Sequence, residues 1–323
     1  MLVVSEIAEN LEKFAKSMLK RNIDVSPKLK KILELDEKRR ASQAKLDNIL
    51  AESNQLAKEI GELFKAGESE KAITLKEKAA LLKEESKKLA TNLNELVGQL
   101  KITLLDVPNV PHDLVPSGDS EKDNLTILQE GKIPELHKNA LPHWELASKY
   151  NIIDFELGAK ITGAGFPVYK DKGAKLQRAL INFFLDQNIN AGYKEIQVPI
   201  LINQDSGTAT GQLPDKEGQM YLVNEDNLYL APTAEVPVTN IYRNSILNSN
   251  ELPICLTSYT PCFRREAGSY GYHVRGLNRL HQFDKVELVR IENPSKSYLA
   301  LDEMVNHVKS ILQQLNLPFR ILR

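Results

Sequence analysis

Phe263-Arg264-Arg265-Glu266-Ala267-Gly268-Ser269 leads, through a Gly-rich polar stretch, into Arg279-Leu280-His281-Gln282-Phe283-Asp284-Lys285-Val286-Glu287-Leu288. Apolar-alternating runs on both sides of that stretch predict two strands joined in a hairpin. Its residue types suit a nucleotide. A planar Arg fork matches a phosphate, an aromatic ring gives adenine a face to stack on, and carboxylates read amino groups. The strand period puts Lys285 and Glu287 on one side, so Glu287 is either paired to Lys285 or free for a cationic ligand group. Taken alone, the Phe-Arg-Arg-Glu string also fits an exposed strand carrying a charge pair. With all these groups so close together, the stretch points to an ATP-using enzyme rather than a scaffold.

Upstream, Pro232-Thr233-Ala234-Glu235 follows a strand-like run, Leu228 to Ala231. A Thr hydroxyl and a carboxylate at a strand end can hold the hydroxyl and ammonium of a small polar amino acid. The same string also reads as a helix N-cap with Glu235 in the first turn. Around these motifs the pattern predicts a helix over Leu176–Ile189 and strands over Glu195–Ile202, Met220–Val223, Leu228–Ala231, Ile254–Phe263 and Phe283–Ile291. A helix follows over Ser297–Gln314. Clustered strands flanked by helices give an α+β class. No GxGxxG or GxxxxGK[ST] follows a strand, so dinucleotide-binding and P-loop sites are not expected.

Further out, residues 27–102 read as a helical hairpin. Ile32, Leu35, Arg39, Ser42, Leu46, Ile49, Ser53, Leu56, Ile60 and Leu63 recur at spacings of three and four. So do Leu75, Ala79, Leu82, Ser86, Leu89, Leu93, Leu96 and Leu100. This is a coiled-coil seam with polar residues in its middle. The short polar stretch Lys65–Lys71 folds the arms back antiparallel, and Pro27 and Pro108 mark where the rod ends. A two-helix rod buries little core by itself, so its open end is expected to anchor on another domain. Residues 1–104 carry 20 Lys and Arg against 17 Asp and Glu, either as a solvated coiled-coil surface or as a reach for a polyanion. Pro108, Pro111, Pro116 and Pro134 set residues 105–141 apart as a linker to a domain over 142–323.

Net charge is −1 with 42% hydrophobic residues, ordinary for a globular protein. No apolar run reaches the roughly 20 residues that span a bilayer. Met1-Leu2-Val3-Val4-Ser5-Glu6-Ile7 lacks a basic flank and a long apolar core, so no leader is expected, and no Cys/His spacing fits a zinc site. Cys255 and Cys262 are expected as reduced thiols in a cytoplasmic protein.

In order and spacing these motifs resemble the bacterial-type seryl-tRNA synthetase family, class II aminoacyl-tRNA synthetases. Asn109-Val110-Pro111-His112, Pro142-His143-Trp144-Glu145-Leu146, Ile153-Asp154-Phe155-Glu156 and Thr210-Gly211-Gln212-Leu213-Pro214 are also similar to family segments. Gly192 to Pro199 resembles class II motif 1, with Pro199 at a homodimer interface, and Phe263 to Glu287 resembles motif 2. The resemblance implies a coiled-coil arm followed by a class II antiparallel sheet flanked by helices. It implies ATP-dependent activation of L-serine, assisted by Mg²⁺, and transfer to tRNA(Ser), with tRNA(Sec) as a second acceptor.

Position by position, it puts Thr233, Ala234, Glu235 and Glu287 in the serine pocket. Arg264 bridges the serine carboxylate and the ATP α-phosphate beside Arg265. Glu266 reads the adenine amino group, Phe283 stacks on the base, and the backbone near Leu280 closes that pocket. Arg264 and Glu266 are the catalytic residues. Gly268 to Arg275 is implied to touch the tRNA acceptor end, and Lys38, Arg39, Arg40, Lys45, Lys76 and Lys83 to grip the tRNA. The sequence departs from the family at Tyr272-His273, where charged residues are common. It also stops at Arg323, where the family continues for roughly another domain-sized hundred residues bearing motif 3, a Mg²⁺-binding Glu and a further pocket hydroxyl. The expectation is therefore a truncated chain with no metal ligands of its own. The alternatives are a non-catalytic RNA-binding relative, an inactive fragment or, least in accord with motif 2, a coiled-coil scaffold.

Overall fold

The computed structural model describes residues 2–266 and 275–323. The chain forms two compact units, Met1–Gln129 with Arg320–Arg323, and Glu130–Phe319.

The first unit is built on the rod. Helix α1 (Val4–Glu9) and α2 (Leu11–Met18) precede α3 (Ser26–Lys65) and α4 (Ser69–Leu105), which pack along their length. Pro27 sits in the first turn of α3, where its missing N–H goes unneeded. At about 1.5 Å per residue α3 is about 60 Å long. Every residue of both predicted heptad series is buried or half-buried, while their helical neighbours are mostly exposed. Arg39, Ser42, Ser53 and Ser86 are among the half-buried ones, so the middle of the seam is polar.

The open end differs from expectation. Ile7, Met18 and Val25 close over Leu29, Ile32, Leu35, Leu100, Leu104 and Val107 in one apolar cluster. Each such side chain contributes roughly 2 kcal/mol, so the rod's own N-terminal helices supply its anchor. Within the stretch read as a linker, β1 (Thr126–Glu130) pairs with β10 (Phe319–Leu322). The backbones of Leu125 and Arg323 exchange hydrogen bonds of 2.8 and 2.9 Å. The C-terminal strand is therefore paired along β1.

The second unit opens with α5 (His143–Lys149), β2 (Ile153–Asp154), α6 (Phe155–Ile161), β3 (Val168–Tyr169) and α7 (Lys172–Asn190). A three-stranded sheet follows in the order β4–β8–β9: β4 (Lys194–Glu195) runs parallel to β8 (Ile254–Phe263), which runs antiparallel to β9 (Gln282–Ile291). A smaller antiparallel sheet has the order β5–β7–β6, from β5 (Leu201–Ile202), β6 (Leu222–Val223) and β7 (Leu228–Leu230). Helices α8 (Gln204–Ala209), α9 (Glu235–Asn240) and α10 (Ser297–Gln314) complete it.

Most predicted elements form close to their expected bounds. The strand predicted over Glu195–Ile202 does not. Pro199 cannot donate to a ladder, and the run splits into β4 and β5, which join different sheets. No helix among the described residues is long and apolar enough to cross a membrane.

Candidate active site

The β8–β9 ladder fixes the site. Its register pairs Ser258 with Glu287, Thr260 with Lys285 and Cys262 with Phe283. Directly opposed residues share a face, so Phe283, Lys285 and Glu287 stand in a row beside Cys262, Thr260 and Ser258. The three β8 side chains are fully buried. Burial is the main cause that pushes the Cys262 thiol above its ordinary range, which keeps it inert. Beyond the ladder, Arg264 donates its N–H to the His281 carbonyl at 2.9 Å, and Phe263 donates to the Ala231 carbonyl at 3.1 Å. The second bond brings residues 231–233 across the end of β8.

There Thr233 is buried and its hydroxyl donates to Glu287 Oε2 at 2.7 Å. Lys285 Nζ donates to Thr233 Oγ1 at 3.1 Å and lies 2.9 Å from Glu287 Oε2. The Glu235 N–H also donates to Thr233 Oγ1, at 3.2 Å. Thr233 lies one residue before Ala234, the N-cap of α9, which has no side-chain cap bond. The structure keeps Glu235 in the first turn and Thr233 engaged with Glu287, but Thr233 is not the N-cap. Of those readings for Glu287, the structure shows the one paired to Lys285. Ala234 is packed against Val238 and Leu256, and the Glu235 side chain is exposed.

Glu287 is held from behind as well. Thr257 Oγ1 donates to its backbone carbonyl at 2.9 Å, and Asn188 Nδ2 donates to Thr257 Oγ1 at 2.9 Å. His307 Nε2 lies 2.8 Å from Asn188 Oδ1 and stacks on Tyr193. Burial lowers the His307 pKa, which favours a neutral ring donating to that amide.

At the other end of the row the Arg264 guanidinium lies over the Phe283 ring, 5.1 Å from its centroid, with Nε 3.4 Å from the Pro232 carbonyl. Glu266 adopts a positive φ of 47° and pairs with Arg279 at 3.4 Å. The Arg265 side chain is exposed, and its N–H donates to the Gln219 carbonyl at 2.9 Å. Asp215 fastens that segment by accepting from the N–H groups of Gln219 and Met220 at 2.9 and 2.8 Å. Although partial burial opposes it, these backbone bonds hold the Asp215 carboxyl below its ordinary value.

Leu280 is buried beside His281, whose ring stacks on Phe166 at 5.2 Å and whose Nδ1 is 2.6 Å from the Tyr221 hydroxyl. The His281 N–H donates to the Gly165 carbonyl. Gly165 has a φ of +84°, and a Cβ there would lie 2.4 Å from the imidazole, so the turn requires glycine.

The structure therefore brings Thr233, Glu287, Arg264 and Phe283 to one face and sets Glu266 at its rim. Lys285's bond to Thr233, the His281 stack and Asp215 were not assigned from sequence. For Lys285 the alternation that placed Glu287 was the available signal; the others rest on pairings remote in sequence. Arg275 is exposed. The other residues of the implied acceptor-end loop, with Tyr272 and His273, lie outside the described residues. On the rod, Lys38, Lys45 and Lys83 are exposed. Arg39 and Arg40 both pair with Asp36, at 2.7 and 2.9 Å, and Lys76 lies over the Phe64 ring.

Two family models match the chain. One describes a seryl-tRNA synthetase N-terminal domain, over residues 1–111, and the other a tRNA synthetase class II core domain (G, H, P, S and T), over residues 221–323. A serine–tRNA ligase of Salinibacter ruber is 47% identical over 90% of this chain and 68% of its own length. One from Chlorobaculum parvum is 44% identical over the whole chain and 76% of its own. The chain belongs to the seryl-tRNA synthetase family. A crystal structure of seryl-tRNA synthetase from Pyrococcus horikoshii complexed with ATP is similar in fold, with a TM-score of 0.86 and 28% identity. It matches across all of this chain and 76% of that one. All the site residues from Tyr221 onward fall within the class II core match, and the rod lies within the seryl-tRNA synthetase N-terminal match.

Proposed function

We propose that this chain is a serine–tRNA ligase whose amino-acid pocket and nucleotide site lie end to end on the β9 face. The observation that carries this is the row Glu287, Lys285, Phe283, with Thr233 at one end and Arg264 over the other. Glu287 and Thr233 take the ammonium and hydroxyl of L-serine, with the Glu235 segment at the pocket's edge. Arg264 draws the serine carboxylate and the α-phosphate of ATP together. Phe283 supplies the adenine face, Glu266 accepts from the adenine amino group, and Arg265 and the backbone at Leu280 border the nucleotide.

A serine carboxylate oxygen attacks the α-phosphorus, the bond to the bridging oxygen breaks, and pyrophosphate leaves. A terminal ribose hydroxyl of the tRNA then attacks the seryl carbonyl and releases AMP. Arg264 neutralises charge and aligns the two reactants, the source of rate in a reaction without a covalent enzyme intermediate.

ATP enters as its Mg²⁺ complex. Among the described residues no three His, Cys, Asp or Glu side chains converge on a metal position, and Glu266 and Glu287 are paired with Arg279 and Lys285. These residues do not form a cage for the ion. The rod, within residues 1–104, takes up tRNA(Ser), and tRNA(Sec) by the same grip, through Lys38, Arg39, Arg40, Lys45, Lys76 and Lys83. Arg275 meets the acceptor end, residues 105–141 link to a catalytic domain over 142–323, and two copies pair through the Pro199 segment in the cytoplasm.

The test is ATP–pyrophosphate exchange with each standard amino acid in turn. Exchange with serine alone is expected. Exchange with a different amino acid, or with none, overturns the reading.

A further inference from the structure

The Thr233 hydroxyl has no capacity left. It donates its one proton to Glu287 and accepts from Lys285 and from the Glu235 N–H, and a hydroxyl has one donor and two lone pairs. A ligand can reach it only by displacing a partner. The Glu235 N–H is fixed in the first turn of α9, and Glu287 is fixed in β9 and held from behind by Thr257. Lys285 is different. Its ammonium is carried on a flexible four-carbon stem, and its side chain is 33% exposed against 20% for Glu287, so it alone has a path out.

We propose that Lys285 is a placeholder for the ligand's ammonium. In the empty pocket its Nζ holds Glu287 and Thr233 in their binding positions, and the incoming amino acid displaces it to solvent, one ammonium for another. This rests on the amino-acid reading of the pocket. Retaining both cations against a single carboxylate would set like charges side by side in a partly buried site. The exchange keeps the carboxylate paired throughout, and a ligand without a cationic group cannot drive it. Lys285 thereby makes the ammonium an entry requirement, acting as a specificity residue rather than a catalytic one.

Two measurements test this on the whole chain. In calorimetric titration with L-serine, Lys285→Met removes the competitor and is expected to tighten binding roughly tenfold, since the pocket no longer spends most of its time occupied by its own side chain. Lys285→Arg, whose fork grips a carboxylate in two places, is expected to weaken binding. A lysine that merely orders the pocket gives the reverse pattern, loss with Met and rescue with Arg. That pattern, or no change in either variant, overturns the proposal.

The second measurement needs no variant. With an acetylating succinimidyl ester and peptide mass spectrometry, L-serine is expected to raise Lys285 labelling several-fold as the amine is released. Unchanged or reduced labelling overturns the placeholder role. If the unmodified protein binds no serine by calorimetry, the amino-acid reading itself falls, a result distinct from serine binding without lysine release.

Discussion

Glu287 is the residue on which the pocket turns, because Thr233 and Thr257 donate hydrogen bonds to it and Lys285 pairs with its carboxylate. Glu287→Gln keeps the shape and removes the charge. It is expected to lower serine-dependent pyrophosphate exchange by about 100-fold, roughly 2.7 kcal/mol, with the KM for ATP within twofold of the unmodified protein. Steady-state kinetics in each substrate separates the two effects. Gly165→Ala tests the other end of the row. Its Cβ cannot fit against the His281 ring, so a fall in Tm and a raised KM for ATP are expected, with serine affinity unchanged. Phe283, Lys285 and Glu287 were legible as one face because alternation is local information. The contact between Lys285 and Thr233 was not, since it joins positions 52 apart in sequence, and no local pattern encodes where β7 ends relative to β9. Ala234 was equally out of reach: whether it faces ligand or core depends on how α9 lies on the sheet.

Among the elements, the rod was the most legible, because a heptad period determines burial residue by residue. Its closure was not. Leu11, Phe14, Ala15 and Met18 recur at helical spacing, but a period does not say what its face packs against, and Ile7 and Met18 complete the cluster at the rod's base. Seam polarity supports a prediction. Ser53→Leu places an apolar knob at a half-buried seam position and is expected to stabilise the rod by about 1–2 kcal/mol, read as a higher Tm by circular dichroism. The segment after α8 supports another. Asp215 has a depressed pKa in the folded state, so its stabilisation is present above its ordinary value of 3.8 and is lost as pH falls through the folded value. Asp215→Asn is expected to cost about 1.5 kcal/mol at neutral pH. Chemical unfolding at stepped pH should show that difference shrinking in strong acid.

At the scale of the whole molecule, net charge says nothing about a nucleic-acid partner, since the chain carries −1 overall; the exposed lysines of the rod must be read by themselves. Neutralising Lys38, Lys45 and Lys83 together is expected to weaken tRNA binding and flatten its log–log salt dependence by roughly two to three units. Pyrophosphate exchange should be unaffected, because the pocket lies in the other unit. Filter binding across a salt series checks this. The rod's uneven seam has a mechanical consequence. A slender beam clamped at one end by the Ile7–Val107 cluster, and gripped least firmly near Arg39, Ser42 and Ser53, concentrates its compliance at that point. Bending of the rod is therefore expected to centre on that polar stretch and to leave the clamp undisturbed.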